Sequence, residues 1–217
     1  MRMKILLLII LPIFSFAQNS AIENKLIIDM CTEFKNTENL SDSLRVENTY
    51  SKYLYPYLQN VESSKIDSIG NSLYFRFQRE CETFRKFLDR VDPLENFEEI
   101  KEMPISTLSV SEKKEFKKTK NFYYLEGDNN ITNVIIDKNL WIDIFPDNSF
   151  SKNKFYWKNE NDFELEFIES TNINRKGFSR LGDKYFYKII RKENNYYVIA
   201  GKIPNQNQIL LFKLFVK

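Results

Sequence analysis

Three carboxylates raise the first chemical possibility. Asp162, Glu164 and Glu166 alternate with Phe163, Leu165 and Phe167, so on an extended strand they share one face, with same-face neighbours ~7 Å apart. Glycoside hydrolysis needs two carboxyl groups at roughly 5–10 Å, which this spacing meets. The alternating polar face is also the ordinary water side of an antiparallel strand, where Lys184 and Lys188 can pair with these acids from a neighbouring strand. The second reading is the stronger, and a carboxylate-dependent hydrolase of the cell envelope stands only as an alternative. The chain contains no histidine, which removes Ser-His-Asp and Cys-His nucleophiles, histidine bases and the common zinc sites together. Its five glycines form no phosphate-cradling loop. Asp128-Asn129-Asn130 lacks the spaced ligands and closing Glu of a calcium loop. No catalytic residue, metal ligand or cofactor is assigned.

Aromatic side chains are the better lead to binding. Tyr156, Trp157, Tyr185 and Tyr187 belong to a crowd of rings in the C-terminal half. Arg175 and Arg180 flank a basic run, Arg175-Lys176-Gly177-Phe178-Ser179-Arg180, that suits an anion or glycan, although a solvated loop is its default reading. These six residues are the candidate ligand-binding set. A small barrel either fills with side chains or holds one small ligand, and so many large rings favour filling.

Cys31 and Cys81 are the only cysteines, and both fall on apolar helical stripes. In an exported protein they are expected to form a disulfide, closing a loop of about 50 residues and stabilising the fold by on the order of 4 kcal/mol in the chain-entropy model. Two reduced core thiols are the alternative.

The elements that position these groups follow from periodicity. Residues 1–17 read as a signal peptide: a basic Met1-Arg2-Met3-Lys4, an apolar run from Ile5 to Phe14, and Ser15-Phe16-Ala17 before a cleavage point near Ala17-Gln18. The run is too short to span a membrane, so the mature chain is expected to have no transmembrane segment and to be secreted or periplasmic, with periplasm, cell surface and medium all left open. Residues 18–91 read as a helical domain. Ile22, Leu26, Ile27, Met30, Cys31 and Phe34 draw one stripe; a second helix starts near Ser41-Asp42 and is broken by Pro56; a third runs unbroken from Ile66 past Leu88. Residues 92–120 read as a linker with a short helix over Glu112 to Lys118. From Asn121 the period falls to two, and turn signals separate about eight strands at 121–126, 131–136, 140–145, 151–157, 162–170, 184–192, 196–203 and 209–216. Short connections make neighbours antiparallel. The fold class is therefore α+β: a small N-terminal helical bundle, then over 121–217 an antiparallel β meander closed as a barrel or half-barrel. The one long connection, Thr171 to Leu181, reads as a loop.

Charge narrows the partners. The sequence has net charge +2, and loss of Arg2 and Lys4 with the signal leaves it neutral, without the concentrated basic surface of a nucleic-acid binder. Residues 18–103 carry a net −5 and 104–217 a net +5, which suits an interaction protein, although five of the positive charges lie in the Lys113 to Lys120 run.

Ser15-Phe16-Ala17-Gln18, the stripe bearing Cys31, the run Leu73-Tyr74-Phe75-Arg76-Phe77-Gln78-Arg79-Glu80-Cys81 and the later Gly182-Asp183-Lys184-Tyr185-Phe186-Tyr187-Lys188 together resemble uncharacterised small secreted proteins of the Bacteroidota with a helical domain and a lipocalin-like β domain. The Gly-x-Trp mark of lipocalins is missing, the first strand reading Asn121-Phe122-Tyr123, and the resemblance carries over no ligand residue. The expectation is an exported, non-enzymatic binding or interaction protein, its partner a protein, a glycan or a small apolar ligand, with a lipocalin-like small-ligand carrier as the alternative within that class.

Overall fold

The computed structural model describes residues 13–204 and 206–217, with side chains from 21 onward. The expected signal peptide lies largely outside the described residues. The chain divides into two compact units, 1–66 and 67–217.

In the first unit, α1 (Ile13–Asn36) buries Leu26, Ile27, Met30 and Phe34, the i, i+3, i+4 stripe expected of an amphipathic helix. A second helical stretch comprises α2 (Asp42–Thr49), a π-helical turn Tyr50–Leu54 and α3 (Tyr55–Leu58). Pro56 does not break it, contrary to the sequence expectation. The wider π turn directly precedes α3, and Pro56 falls in the first turn of α3, where proline is best tolerated. Arg45, 6% exposed, donates from Nη2 to the Phe34 carbonyl at 2.9 Å and lies over the Phe34 ring, placing a cation at the C-terminal end of α1.

The second unit opens with α4 (Ile66–Glu80) and α5 (Glu82–Val91). Sequence periodicity predicts one unbroken helix here, but Cys81 adopts extended dihedrals (φ −109°, ψ 102°) and divides it. Cys81 N still donates to Phe77 O and Arg85 N to Cys81 O, so i→i−4 bonding brackets the break and the apolar spacing survives it. Phe77 and Phe84 stack across the break at 4.1 Å. Both cysteines are disulfide-bonded and the chain has no others, so the expected Cys31–Cys81 bond is present.

Strand β1 (Glu98–Ile100) comes next, then α6 (Val110–Lys118), which starts with a capping box between Ser109 and Glu112. Eight strands follow: β2 (Asn121–Leu125), β3 (Ile131–Asp137), β4 (Leu140–Ile144), β5 (Phe150–Trp157), β6 (Asp162–Ser170), β7 (Lys184–Glu193), β8 (Tyr196–Lys202) and β9 (Ile209–Val216). Each pairs antiparallel with the next, and β9 returns to β2 through Phe122↔Val216 and Tyr123↔Phe215, closing an eight-stranded barrel. The α+β class and the meander are as the sequence implies. Closure leaves β9 an edge beyond β2, which β1 covers in the register Glu98↔Leu211 to Ile100↔Ile209. The β6–β7 connection is not a plain loop: it contains α7 (Ile173–Phe178), capped by the Asn172 side chain.

The barrel interior differs at its two ends. Where α6 leads into β2, Phe116 reaches the rings of Phe122, Trp157, Phe163 and Tyr197 at centroid distances of 4.9–6.3 Å. All of these except Trp157 are essentially solvent-free, so this end is plugged by aromatic packing. At the other end lie the β2–β3 and β4–β5 turns and α7.

Candidate functional site

Strand alternation builds the second end from residues far apart in sequence. On β4, Trp141 and Asp143 point inward with Phe145 just beyond, all buried. On β5 the inward pair beside them is Ser151, opposite Asp143, and Asn153, opposite Trp141. On β3, Thr132 is fully buried and Cα-paired with Tyr124 of β2. On β7, Tyr187 stacks on Phe163 at 5.1 Å. Gly201 of β8 pairs with Tyr187, and a Cβ there would lie 2.9 Å from its ring, so glycine is what lets that ring lie across the strand.

Arg175 joins this group from α7. Its Nη2 donates to both Glu126 carboxylate oxygens at 2.7 Å, and its guanidinium lies 5.6 Å from the centre of the Phe145 ring. Thr132 Oγ1 donates to Glu126 Oε1 at 2.8 Å. Two contacts hold α7 itself. Asn172 Nδ2 donates to Ser149 Oγ at 2.9 Å, and Arg79 of α4 donates to the Phe178 carbonyl at 2.8 Å and through two nitrogens to Asp183. Gly177 lies against α4, where a Cβ would come within 3.2 Å of the Ser72 Cα and the Phe75 ring.

The electrostatics of this end are unusual. Burial pushes the Asp143 carboxyl up to about 7; the Trp141 hydrogen bond, 2.8 Å from Nε1 to Oδ1, and the Arg175 charge pull it down, and Glu126 pushes it up. Burial, with the charge of Asp143 behind it, raises the Tyr124 hydroxyl well above the usual tyrosine range, and Tyr187 is raised by burial and by Tyr185 and Asp143. Burial works against the Arg175 cation, but Tyr124, Glu126 and Asp143 outweigh it and keep the guanidinium charged. Ser151 and Asn153 are 4% and 6% exposed, yet no hydrogen bond joins either side chain to a described residue. The hydroxyls of Tyr124 and Tyr187 and the Nε–Nη1 edge of Arg175 also lack a hydrogen-bond partner among the described residues. None of these polar atoms is both sealed from solvent and unpaired, so they face space that solvent can reach.

The six candidates from sequence divide accordingly. Arg175, Tyr185 and Tyr187 come together at this end, Tyr185 sharing a 2.7 Å hydrogen bond with Ser179. Tyr156 lies on the outer face of β5, exposed. Trp157 belongs to the α6 end, edge-on to Phe116. Arg180 is part-exposed and ion-paired with Glu80. Tyr124, Glu126, Asp143, Ser151 and Asn153 were not anticipated as a site; the available signal was a polar residue on a face otherwise made of rings, as in Trp141-Ile142-Asp143-Ile144-Phe145.

The carboxylates of β6 face outward and are matched by lysines. Glu164 lies between Lys158 at 3.1 Å and Lys184 at 3.4 Å, Glu166 is 3.1 Å from Lys154, and Asp162 is 4.0 Å from Lys188. Burial works against the Glu164 charge, but the two lysines outweigh it and hold its carboxyl below the usual range, the wrong direction for a general acid. A groove outside the barrel, lined by Asn121, Phe122, Asn133, Val134, Ile135, Ile144 and Lys217, has one cationic side chain, already bonded to Asn133. Among the described residues no group of three or more His, Cys, Asp or Glu side chains is placed to hold a metal ion, and no helix is long and apolar enough to cross a membrane.

The fold and site together define an eight-stranded antiparallel barrel with a helical N-terminal part and a polar, ionisable cluster of side chains at one end. Compared with known proteins, the chain matches no family model and no curated protein.

Proposed function

We propose that this protein is an exported, non-enzymatic binding protein whose barrel takes a small molecule at the Arg175 end. The observation that carries the reading is the set of polar groups converging there without protein hydrogen-bond partners: the hydroxyls of the partly buried Tyr124 and Tyr187, and the buried Ser151 and Asn153. A ligand with matching polar atoms would supply hydrogen bonds that these groups do not make within the protein. Export is supported by the basic-then-apolar start of the sequence and by the disulfide, which persists in oxidising compartments. Binding rather than catalysis is favoured because the grouped carboxylates outside the barrel are each matched with lysine.

Native mass spectrometry of the protein purified from its own culture tests this. A small-molecule adduct on the wild type that is lost in Tyr187→Phe and Arg175→Met, both still folded, supports it. An adduct that survives both changes, or a bare wild-type mass alongside a co-purifying protein, contradicts it in favour of an interaction protein.

A further inference from the structure

The unpartnered groups at the Arg175 end can each donate. Arg175 offers the Nε–Nη1 edge left over from its Glu126 bond, Tyr124, Tyr187 and Ser151 offer hydroxyl protons, and Asn153 offers an amide NH2. The three hydroxyls can also accept, as can Asp143 Oδ2 and the Asn153 carbonyl oxygen, whereas the guanidinium of Arg175 can only donate. The face-on cation position, over Phe145, is taken by Arg175 itself. A donor-only cation among hydroxyl and amide groups that can also donate suits a guest bearing an oxyanion, and nearby rings such as Trp141, Phe145 and Tyr187 suit a flat apolar body.

Charge then sets a condition. The groups facing Asp143 are Arg175 from α7, Glu126 and Tyr124 from the β2 end, and Tyr187 from β7. With Asp143 ionised, an incoming anion would join two carboxylates around one guanidinium; with Asp143 protonated it joins one, and the carboxylic acid becomes a further donor.

On the reading that this end of the barrel binds a small molecule, we propose that its ligand carries a carboxylate on an aromatic or apolar body, and that Asp143 takes up one proton from solvent as the ligand enters. The chain has no histidine, so apart from the α-amino group no side chain of ordinary acidity titrates in the same range. Burial pushes the Asp143 carboxyl up into that range, to about 7.

Isothermal titration calorimetry with benzoate, benzamide and benzylammonium on the intact disulfide-bonded protein tests this at pH 6 and pH 8, each in two buffers of different ionisation enthalpy. Benzoate is expected to bind best, to weaken about tenfold from pH 6 to pH 8, and to take up about 0.1 proton at pH 6 and about 0.9 at pH 8, as a single linked group requires. Asp143→Asn keeps an acceptor for Trp141 and is expected to bind benzoate with an affinity that no longer changes with pH. The wild-type proton count holds as a test even if that variant fails to fold. Tighter binding of benzylammonium or benzamide, benzoate binding without proton uptake, or an unchanged pH slope in Asp143→Asn overturns the inference while leaving the binding role standing. Failure of all three probes overturns both.

Discussion

The two ends of the barrel solve the same problem, filling a closed sheet, by opposite means. At the α6 end Phe116 inserts among Phe122, Phe163 and Tyr197, and stability comes from buried rings. At the α7 end the same inward alternation delivers Tyr124, Asp143, Ser151 and Asn153, and the closing helix brings a cation rather than a ring. One end is thus closed by packed rings, while the other keeps polar and charged side chains that make few hydrogen bonds within the protein.

The contrast can be broken from either side. The largest stability effect is expected for Phe116→Ala, about 3–5 kcal/mol for a large ring removed from a fully buried position; denaturant titration reads it, and probe binding by the folded fraction should not change. Next is Arg79→Met, which leaves Asp183 without its partner where the two side chains are 4% and 14% exposed. Breaking a buried pair costs roughly 3–5 kcal/mol, here at the lower end because Arg180 N still donates to Asp183. Hydrogen exchange should quicken around α7 and stay slow in α6.

Third comes the pH dependence. An Asp143 carboxyl raised to about 7 from 3.8 binds more protons folded than unfolded, so stability falls as pH rises between these values and levels off above them. The wild type should therefore gain about 2 kcal/mol from pH 7.5 to 5.5 through this residue, and Asp143→Asn should remove that gain, as thermal melts at the two pH values would show. The smallest stability change, under about 1 kcal/mol, is expected for Arg175→Met, because its ion pair with Glu126 is part-exposed. The same change should abolish benzoate binding.

Much of the scaffold was legible in the sequence. Strict alternation from Asp162 to Phe167 and turn residues such as Asn194-Asn195 located the strands nearly to the residue, because period and turn chemistry are local properties. Less was legible where a local rule was overridden. The π turn carried the second helix through Pro56, and Cys81 left helical dihedrals without disturbing the apolar rhythm on either side. The six-residue α7 was concealed by its basic composition, although Asn172 is a good cap. The polar cluster at the α7 end was the least visible. Asp162, Glu164 and Glu166 attract attention because they are grouped, yet they face outward. Asp143, Glu126 and Arg175 are scattered over fifty residues and meet only because the sheet closes into a barrel.

The most direct test of the asymmetry is a benzoate titration of isotopically labelled protein at pH 6, followed residue by residue by NMR. The account predicts shift changes concentrated at Tyr124, Asp143, Asn153, Arg175 and Tyr187, with Phe116, Phe122 and Tyr197 unmoved. Changes centred on the α6 end or on the outer groove at Ile135 and Ile144, or no changes at all, would contradict it.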